Sequence, residues 1–104
     1  MALNLNTSQV MRLSPIAIQQ IKEQVNRFFG QQAVIWLFGS RLDDNKRGGD
    51  IDLYVQTEQF NLLDELRCKV ALQEQLDIPI DLIVRSKNDT SVITTHAIKN
   101  GVPL

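Results

Sequence analysis

The sequence predicts an α/β (α+β) fold, in which a mixed sheet of three strands or slightly more is backed by helices in the order α-β-β-α-β-α. Three observations predict it. Apolar residues recur at helical spacing in long segments, short apolar runs rich in β-branched residues alternate with them, and turn-forming residues separate the two kinds of segment. A chain of 104 residues has room for one modest core. We therefore expect residues 1–104 to form a single domain.

The first helix is predicted over residues 15–29. Ser14 can cap its N-terminus, and Pro15 suits the first helical position because its fixed φ matches the helix. Apolar residues then recur every three or four positions up to Gly30, a residue type common just after a helix. Residues 1–13 are mostly polar, so we expect a loosely ordered lead-in.

Two strands are predicted next, over residues 33–38 and 50–56. The first is a short, wholly apolar run, which is typical of a strand buried on both faces. The charged, glycine-containing segment 41–49 predicts a loop between them. Because this loop is too short to hold a crossover helix, we expect the two strands to pair antiparallel.

A second helix is predicted over residues 60–76 and a third strand over 78–84. A last helix follows, capped by Asp89 or Thr90 and ending near Lys99. Since a helix connects the second and third strands, we expect these two strands to be parallel.

Aspartates in the second and third strands are the most informative polar residues. Asp50 and Asp52 lie two positions apart, so both carboxylates point to the same face of the strand. Asp81 interrupts an apolar strand, where a buried lone carboxylate is costly unless it is paired or bound to a metal. If the two strands are neighbours, the three side chains share a face and predict a site for a hard divalent cation such as Mg²⁺.

A glycine-serine turn, Gly39-Ser40, follows the first strand and offers backbone N–H groups to an anion. Each feature also has a structural interpretation. The turn could be an ordinary one, Asp50 and Asp52 could form a solvated strand edge, and Asp81 could pair with a basic side chain. All three interpretations must hold together for the predicted metal and phosphate site to disappear.

Composition excludes several classes of protein. A formal net charge of −1 gives no broad basic field, so direct nucleic-acid binding is not expected. No apolar run approaches the ~18 residues of a membrane span, and no signal peptide is recognisable at the N-terminus. Cys68, the single cysteine, is expected to be a packing residue of the second helix. A chain with one cysteine has no internal disulfide, which fits a reducing cytoplasm. The single histidine, His96, is expected on a helix surface or at an interface, which disfavours a zinc site.

Gly39-Ser40, followed after nine residues by Asp50-Ile51-Asp52 and later by Asp81 in a hydrophobic strand, resembles the nucleotidyltransferase superfamily that includes DNA polymerase beta. Within it, the small size and the sequence around these motifs resemble the minimal nucleotidyltransferase (MNT) family of bacteria and archaea. The loop between the motifs is one residue shorter than in many relatives. The resemblance implies the polymerase beta-like nucleotidyltransferase fold.

The resemblance also implies an activity: an acceptor hydroxyl attacks the α-phosphate of a nucleoside triphosphate and pyrophosphate leaves. Asp50 and Asp52 would then bind two Mg²⁺ ions, and Asp81 would complete the metal site that activates the hydroxyl.

The same resemblance implies the groups that hold the substrate. Gly39 and Ser40 would bind the β- and γ-phosphates of ATP or another nucleoside triphosphate, and Arg41 would reach the triphosphate. The sequence leaves open which base is preferred, because base pockets have no spacing signature.

MNT proteins commonly act with a helical HEPN partner protein, in pairs that can be toxin and antitoxin. The resemblance therefore implies an antitoxin that transfers AMP to a hydroxyl of a HEPN-type partner. Two alternatives stay open: a catalytically silent nucleotide-binding module that neutralises its partner by complex formation, and transfer to a small molecule. The oligomeric state, homo-oligomer or hetero-oligomer, is open as well.

Overall fold

Three helices and four strands alternate along the part of the chain that the computed structural model describes, residues 13–38, 51–58 and 60–104. In chain order they are α1 (Pro15–Phe29), β1 (Val34–Phe38), β2 (Ile51–Gln56), α2 (Leu62–Leu76), β3 (Ile80–Arg85), α3 (Val92–Asn100) and β4 (Val102–Pro103). The predicted lead-in lies outside the described residues except for its last residue, Leu13, which packs against the core.

The strands form one mixed sheet in the order β3-β2-β1-β4. β1 pairs antiparallel with β2, and β2 pairs parallel with β3, as predicted. The two-residue strand β4 adds an antiparallel edge beside β1 and was not predicted. The mixed sheet, its helices and the order α-β-β-α-β-α are thereby confirmed, with β4 as the additional element.

One face of the sheet carries the hydrophobic core. Helices α1 and α2 lie on this face, and their buried side chains pack against alternate residues of the three long strands. The strand residues in this cluster are Ile35, Leu37, Ile51, Leu53, Val55, Ile80, Leu82 and Val84. Because strand side chains alternate between faces, the residues between them lie on the opposite face, which helix α3 covers only in part.

The prediction that the first strand is buried on both faces is wrong. Ile35 and Leu37 are buried, whereas Val34 is exposed and Trp36 is half-buried. Among the described helices, α1 and α2 cover the face that carries Ile35 and Leu37. On the other face Trp36 packs against Tyr54, with ring centroids 5.7 Å apart.

The ends of the helices follow local capping. Ser14 Oγ accepts a hydrogen bond from the Ala17 amide at 3.1 Å, which confirms the predicted start of α1. Helix α2 begins two residues later than predicted, because Asn61 Oδ1 accepts from the Asp64 amide at 2.8 Å and caps it. Ser91 occupies the cap position of α3, in place of the predicted Asp89 or Thr90.

None of the helices among these described residues is long and apolar enough to span a membrane.

Candidate functional site

A row of three residues crosses one end of the sheet on the face opposite α1 and α2. Asp52 is the register partner of Asp81 in the parallel β2–β3 pair and of Phe38 in the antiparallel β1–β2 pair. Residues paired in this way on neighbouring strands lie about 5 Å apart and project from the same face. We call Phe38, Asp52 and Asp81 the acid row.

The placement of the acid row follows from the alternation of each strand. Ile51 and Leu53 on either side of Asp52 are fully buried under the helices, so Asp52 lies on the other face and is half-buried. Ile80 and Leu82 are buried in the same way, and Asp81 between them is exposed. The sequence thus places both carboxylates by the period of two in its apolar residues.

The expectation that Asp81 is a buried carboxylate is wrong, because its side chain lies on the face opposite the buried Ile80 and Leu82 and is exposed. Its desolvation cost therefore gives no reason to infer a metal. The position of Asp81 beside Asp52 does give a reason to infer a metal. Two adjacent carboxylates repel each other, and a divalent cation between them relieves that repulsion.

Four of the predicted site residues, Gly39, Ser40, Arg41 and Asp50, lie outside the described residues, and their roles stay predictions. The described residues next to them are informative. Phe38 precedes Gly39 directly and belongs to the acid row, so the chain enters the predicted phosphate-binding segment beside the carboxylates.

The described carboxylates suit the metal that the resemblance implies. Two oxygen-bearing side chains on an accessible sheet end are the hard ligands that Mg²⁺ prefers, and Mg²⁺ keeps several waters when few protein ligands bind it. Within residues 13–38, 51–58 and 60–104, no group of three or more His, Cys, Asp or Glu side chains could hold a metal ion. The third ligand of the predicted set is Asp50.

Helix α3 is fixed to the face of the acid row by a buried polar network that sequence reasoning missed. The Tyr54 hydroxyl lies 2.5 Å from Thr94 Oγ1, and Thr94 Oγ1 donates to Asp89 Oδ1 at 2.9 Å. Tyr54 is fully buried although it shares the face of Asp52. The sequence signal for this network was Tyr54 itself, a tyrosine at an alternating position on the polar face of the strand. A buried tyrosine hydroxyl usually has a hydrogen-bond partner.

Asp89 is the charged end of this network. Hydrogen bonds from Ser91, first from its side chain and then from its backbone amide, together with that from Thr94, hold the pKa of Asp89 below its usual value. Arg85 Nε lies 3.8 Å from Asp89 Oδ2 and lowers the pKa further, as a smaller contribution. The ionised carboxylate therefore anchors the segment ahead of α3.

His96, on α3, lies at the end of the acid row. Its ring is edge-on to Phe38, with centroids 6.2 Å apart and an interplanar angle of 81°. The histidine is exposed on the helix, as predicted. No sequence pattern indicates that it lies beside the acid row, because this contact depends on how α3 crosses the sheet.

Two other features do not belong to the site. A cavity of about 570 Å³ lies between α1 and α2, where Phe28 and Val70 line it, and therefore on the other side of the sheet from the acid row. Cys68 is fully buried in α2, and burial raises its pKa to about 12, so it is a packing residue, as predicted.

Solved structures share this fold. A candidate minimal nucleotidyltransferase is 26% identical, with a TM-score of 0.65 over 83% of this chain and 87% of that chain. One chain in the complex of tri-AMPylated Shewanella oneidensis HEPN toxin with MNT antitoxin is 19% identical, with a TM-score of 0.64 over 85% of this chain and 68% of that chain. A toxin–antitoxin complex, MntA-HepT, gives 17% identity and a TM-score of 0.65 over 86% of this chain and 70% of that chain.

A comparison with curated proteins found no significant match. The family described as polymerase beta, nucleotidyltransferase matches residues 19–104, which contain β1, both carboxylates of the acid row and helix α3. By its sequence match and by its fold, the chain belongs to the polymerase beta nucleotidyltransferase family.

Proposed function

We propose that this protein is a Mg²⁺-dependent nucleotidyltransferase of the MNT type, which transfers AMP from ATP to a hydroxyl of a HEPN-type partner and acts in the cytoplasm as its antitoxin. The observation that carries the proposal is the pairing of Asp52, which is half-buried, with Asp81, which is exposed. The chain belongs to a nucleotidyltransferase family, and carboxylates of this kind could hold an ion that neutralises the charge of a triphosphate.

The proposed reaction is an in-line displacement. The acceptor hydroxyl oxygen forms a bond to the α-phosphorus of ATP, and the bond from that phosphorus to the oxygen bridging to the β-phosphate breaks. Pyrophosphate leaves with the electrons of that bond. The acceptor becomes an AMP ester, and its hydroxyl proton passes to the Asp81 carboxylate or to water beside it.

Each aspartate has a separate part in this proposal. Asp50 and Asp52 would hold the ions that neutralise the triphosphate, and Asp81 would complete the ligand set. Two Mg²⁺ ions bound there would lower the pKa of the attacking hydroxyl and neutralise charge on the leaving pyrophosphate. The exposure of Asp81 supports its role, since an acceptor from another molecule has to reach it.

The segment after β1 would bind the phosphates. Gly39 lets the backbone approach the β- and γ-phosphates, Ser40 adds a hydroxyl and an amide donor, and Arg41 adds a charge-assisted donor to the triphosphate. Phe38 supports this proposal, because it is the register partner of Asp52 and directly precedes Gly39 in the sequence.

A protein acceptor is favoured by the open face of the site. Asp81 is exposed at one end of the acid row and His96 at the other, so the surface of a protein could contact both residues. One similar structure was solved as a complex of tri-AMPylated HEPN toxin with MNT antitoxin, and another as the toxin–antitoxin complex MntA-HepT. By this likeness we propose a HEPN-type protein as the partner and AMP as the transferred group.

The test uses ATP labelled at the α-phosphate, Mg²⁺ and a HEPN-type protein encoded next to this one. The proposal expects the label on the HEPN-type protein, its loss with Asp52→Asn, and full transfer with Glu23→Gln, a control on the exposed surface of α1. A tight complex without any label would contradict catalysis and would favour the silent binding module. Label on small hydroxylated acceptors alone would contradict the protein substrate.

A further inference from the structure

The side chain of His96 has one nitrogen occupied and one available. Asn100 Nδ2 lies 3.1 Å from His96 Nδ1 and 3.2 Å from the backbone oxygen of the same histidine. A carbonyl oxygen can only accept, so the side-chain atom of Asn100 beside it is the amide nitrogen. An amide nitrogen can only donate, so its contact with Nδ1 is a hydrogen bond donated to Nδ1. Nδ1 is therefore an acceptor, and the proton of the neutral imidazole lies on Nε2.

The ring is also fixed in place. Phe38 holds it edge-on at 6.2 Å, and Asn100 holds it from within the same helix. Across the described part of the chain, Nε2 has no hydrogen-bond partner, and the side chain is exposed. His96 Nε2–H is thus an oriented donor on the face of the sheet that carries both carboxylates.

The position of His96 relative to the acid row indicates which part of a bound nucleotide it would contact. Crossing the sheet end from β3 to β1, the order is Asp81, Asp52, Phe38, and then His96 against Phe38. The chain continues from Phe38 into Gly39, where the proposed phosphate-binding segment begins. His96 is therefore at the Phe38 end of the acid row, opposite to Asp81, and Phe38 directly precedes the proposed phosphate-binding segment in the sequence.

We propose that His96 is a substrate-binding residue whose Nε2–H donates a hydrogen bond to the triphosphate of the nucleotide. This inference rests on the proposed function and extends it to a residue on α3 that none of the sequence motifs includes. It also gives Asn100 a positioning role, because its amide sets the tautomer that makes Nε2 a donor.

Spectroscopy can test the donor directly, because the chain has a single histidine. In the ¹⁵N-histidine-labelled protein we expect the Nε2–H tautomer, and a shift of Nε2 on adding inorganic tripolyphosphate with Mg²⁺ but not on adding adenosine. A shift with adenosine alone would place His96 at the base and overturn the inference. Asn100→Asp offers Nδ1 an acceptor in place of a donor, and should move the neutral ring towards the Nδ1–H tautomer.

Binding of α,β-methylene-ATP with Mg²⁺ supplies the second readout. His96→Phe keeps a ring against Phe38 but removes both nitrogens, and should weaken binding by about tenfold to a hundredfold, the usual range for a hydrogen bond to a charged acceptor. His96→Gln retains an N–H donor near the position of Nε2 and should bind within about threefold of the wild type. Thr95→Ala, also exposed on α3, is the matched control and should change nothing.

The outcomes separate this inference from the function on which it rests. Nucleotide binding that is equally tight in the wild type and in folded His96→Phe overturns the inference alone. A wild-type chain that binds no nucleotide with Mg²⁺ overturns the proposed function and the role of His96 together. Because the side chains of His96 and Thr95 are exposed, thermal unfolding of the His96 and Thr95 variants should match the wild type.

Discussion

The hydroxyl of Tyr54 lies 2.5 Å from Thr94 Oγ1, although the two residues are separated by 40 positions in the sequence. This bond joins the middle of β2 to the first turn of α3, and both side chains are buried. It therefore holds α3 against the face that carries the acid row. The position of His96 depends on this bond, because His96 and Thr94 belong to the same helix.

Tyr54→Phe should lower the free energy of unfolding by about 1–2 kcal/mol, because it removes one buried hydrogen bond and leaves Thr94 with its bond to Asp89. Thr94→Val should lower the free energy of unfolding further, since it leaves both the Tyr54 hydroxyl and Asp89 with fewer hydrogen-bond partners. Urea unfolding of both single variants and the double variant measures the coupling. Strictly additive losses would show that the two groups do not interact.

The ionised form of Asp89 should make stability depend on pH. Its pKa is lower in the folded protein than in the unfolded chain, so the stabilisation is complete above the unfolded value, near 3.9, and is lost as the pH falls towards the folded value. Asp89→Asn should be less stable than the wild type at pH 7, and the difference should shrink below about pH 4. Thermal unfolding from pH 7 to pH 3 measures this, and a difference that stays constant would contradict it.

Two glycines should resist substitution for different reasons. Gly30, after α1, has φ 91° and ψ 166°, a backbone conformation that is almost restricted to glycine, and no atom lies near its missing Cβ. We expect Gly30→Ala to cost about 1–3 kcal/mol through backbone strain. Gly30→Asn should not restore stability, because this ψ lies outside the left-handed helical region that asparagine tolerates. Urea unfolding of both variants decides this.

Gly101 is limited by space, since its φ of −84° suits any residue. A Cβ there would overlap the Ala97 carbonyl oxygen and would lie 3.1 Å from the Leu37 carbonyl oxygen. Both neighbours are backbone and cannot turn away, so Gly101→Ala should cost about 1–3 kcal/mol. The loss should appear in unfolding experiments together with faster amide exchange in β4. An unchanged unfolding free energy would show that the junction of α3 and β4 adapts freely.

The acid row predicts a separation between activity and stability. Asp81→Asn keeps the shape of an exposed side chain and removes a carboxylate next to Asp52, so the fold should be as stable as the wild type or more so. Nucleotidyl transfer should fall by about two orders of magnitude or more, as expected when a metal-site ligand is lost. Parallel transfer and unfolding assays test both parts, and an active Asp81→Asn protein would remove Asp81 from the mechanism.

Local features of the sequence were sufficient for the bounds of helix α1. Ser14, Pro15 and Gly30 mark the ends of α1, and the helix has the predicted bounds because capping depends on adjacent residues. The start of α2 was placed too early, since Phe60 fits the apolar spacing although Asn61 is the cap. The capping residue Asn61, rather than the apolar spacing, marks the start of this helix.

Features that depend on distant residues were predicted less well. The short strand β4 contains Pro103 and forms only because Val102 pairs with Leu37, which no local pattern reveals. The exposure of Asp81 was missed for a similar reason, because it depends on which end of the sheet the helices leave uncovered. The pairing of Asp52 with Asp81 was predictable, since a helical connection favours parallel neighbours and the period of two fixes the face.

Binding of Mn²⁺ in the presence of α,β-methylene-ATP tests most directly whether these carboxylates form a metal and nucleotide site, because it requires no acceptor and no turnover. Paramagnetic relaxation should show Mn²⁺ bound near His96 in the wild type, and binding at least about tenfold weaker in Asp52→Asn and Asp81→Asn than in Glu23→Gln. If both aspartate variants bind the ion and the nucleotide as tightly as the wild type, the acid row is not the site of nucleotidyl transfer.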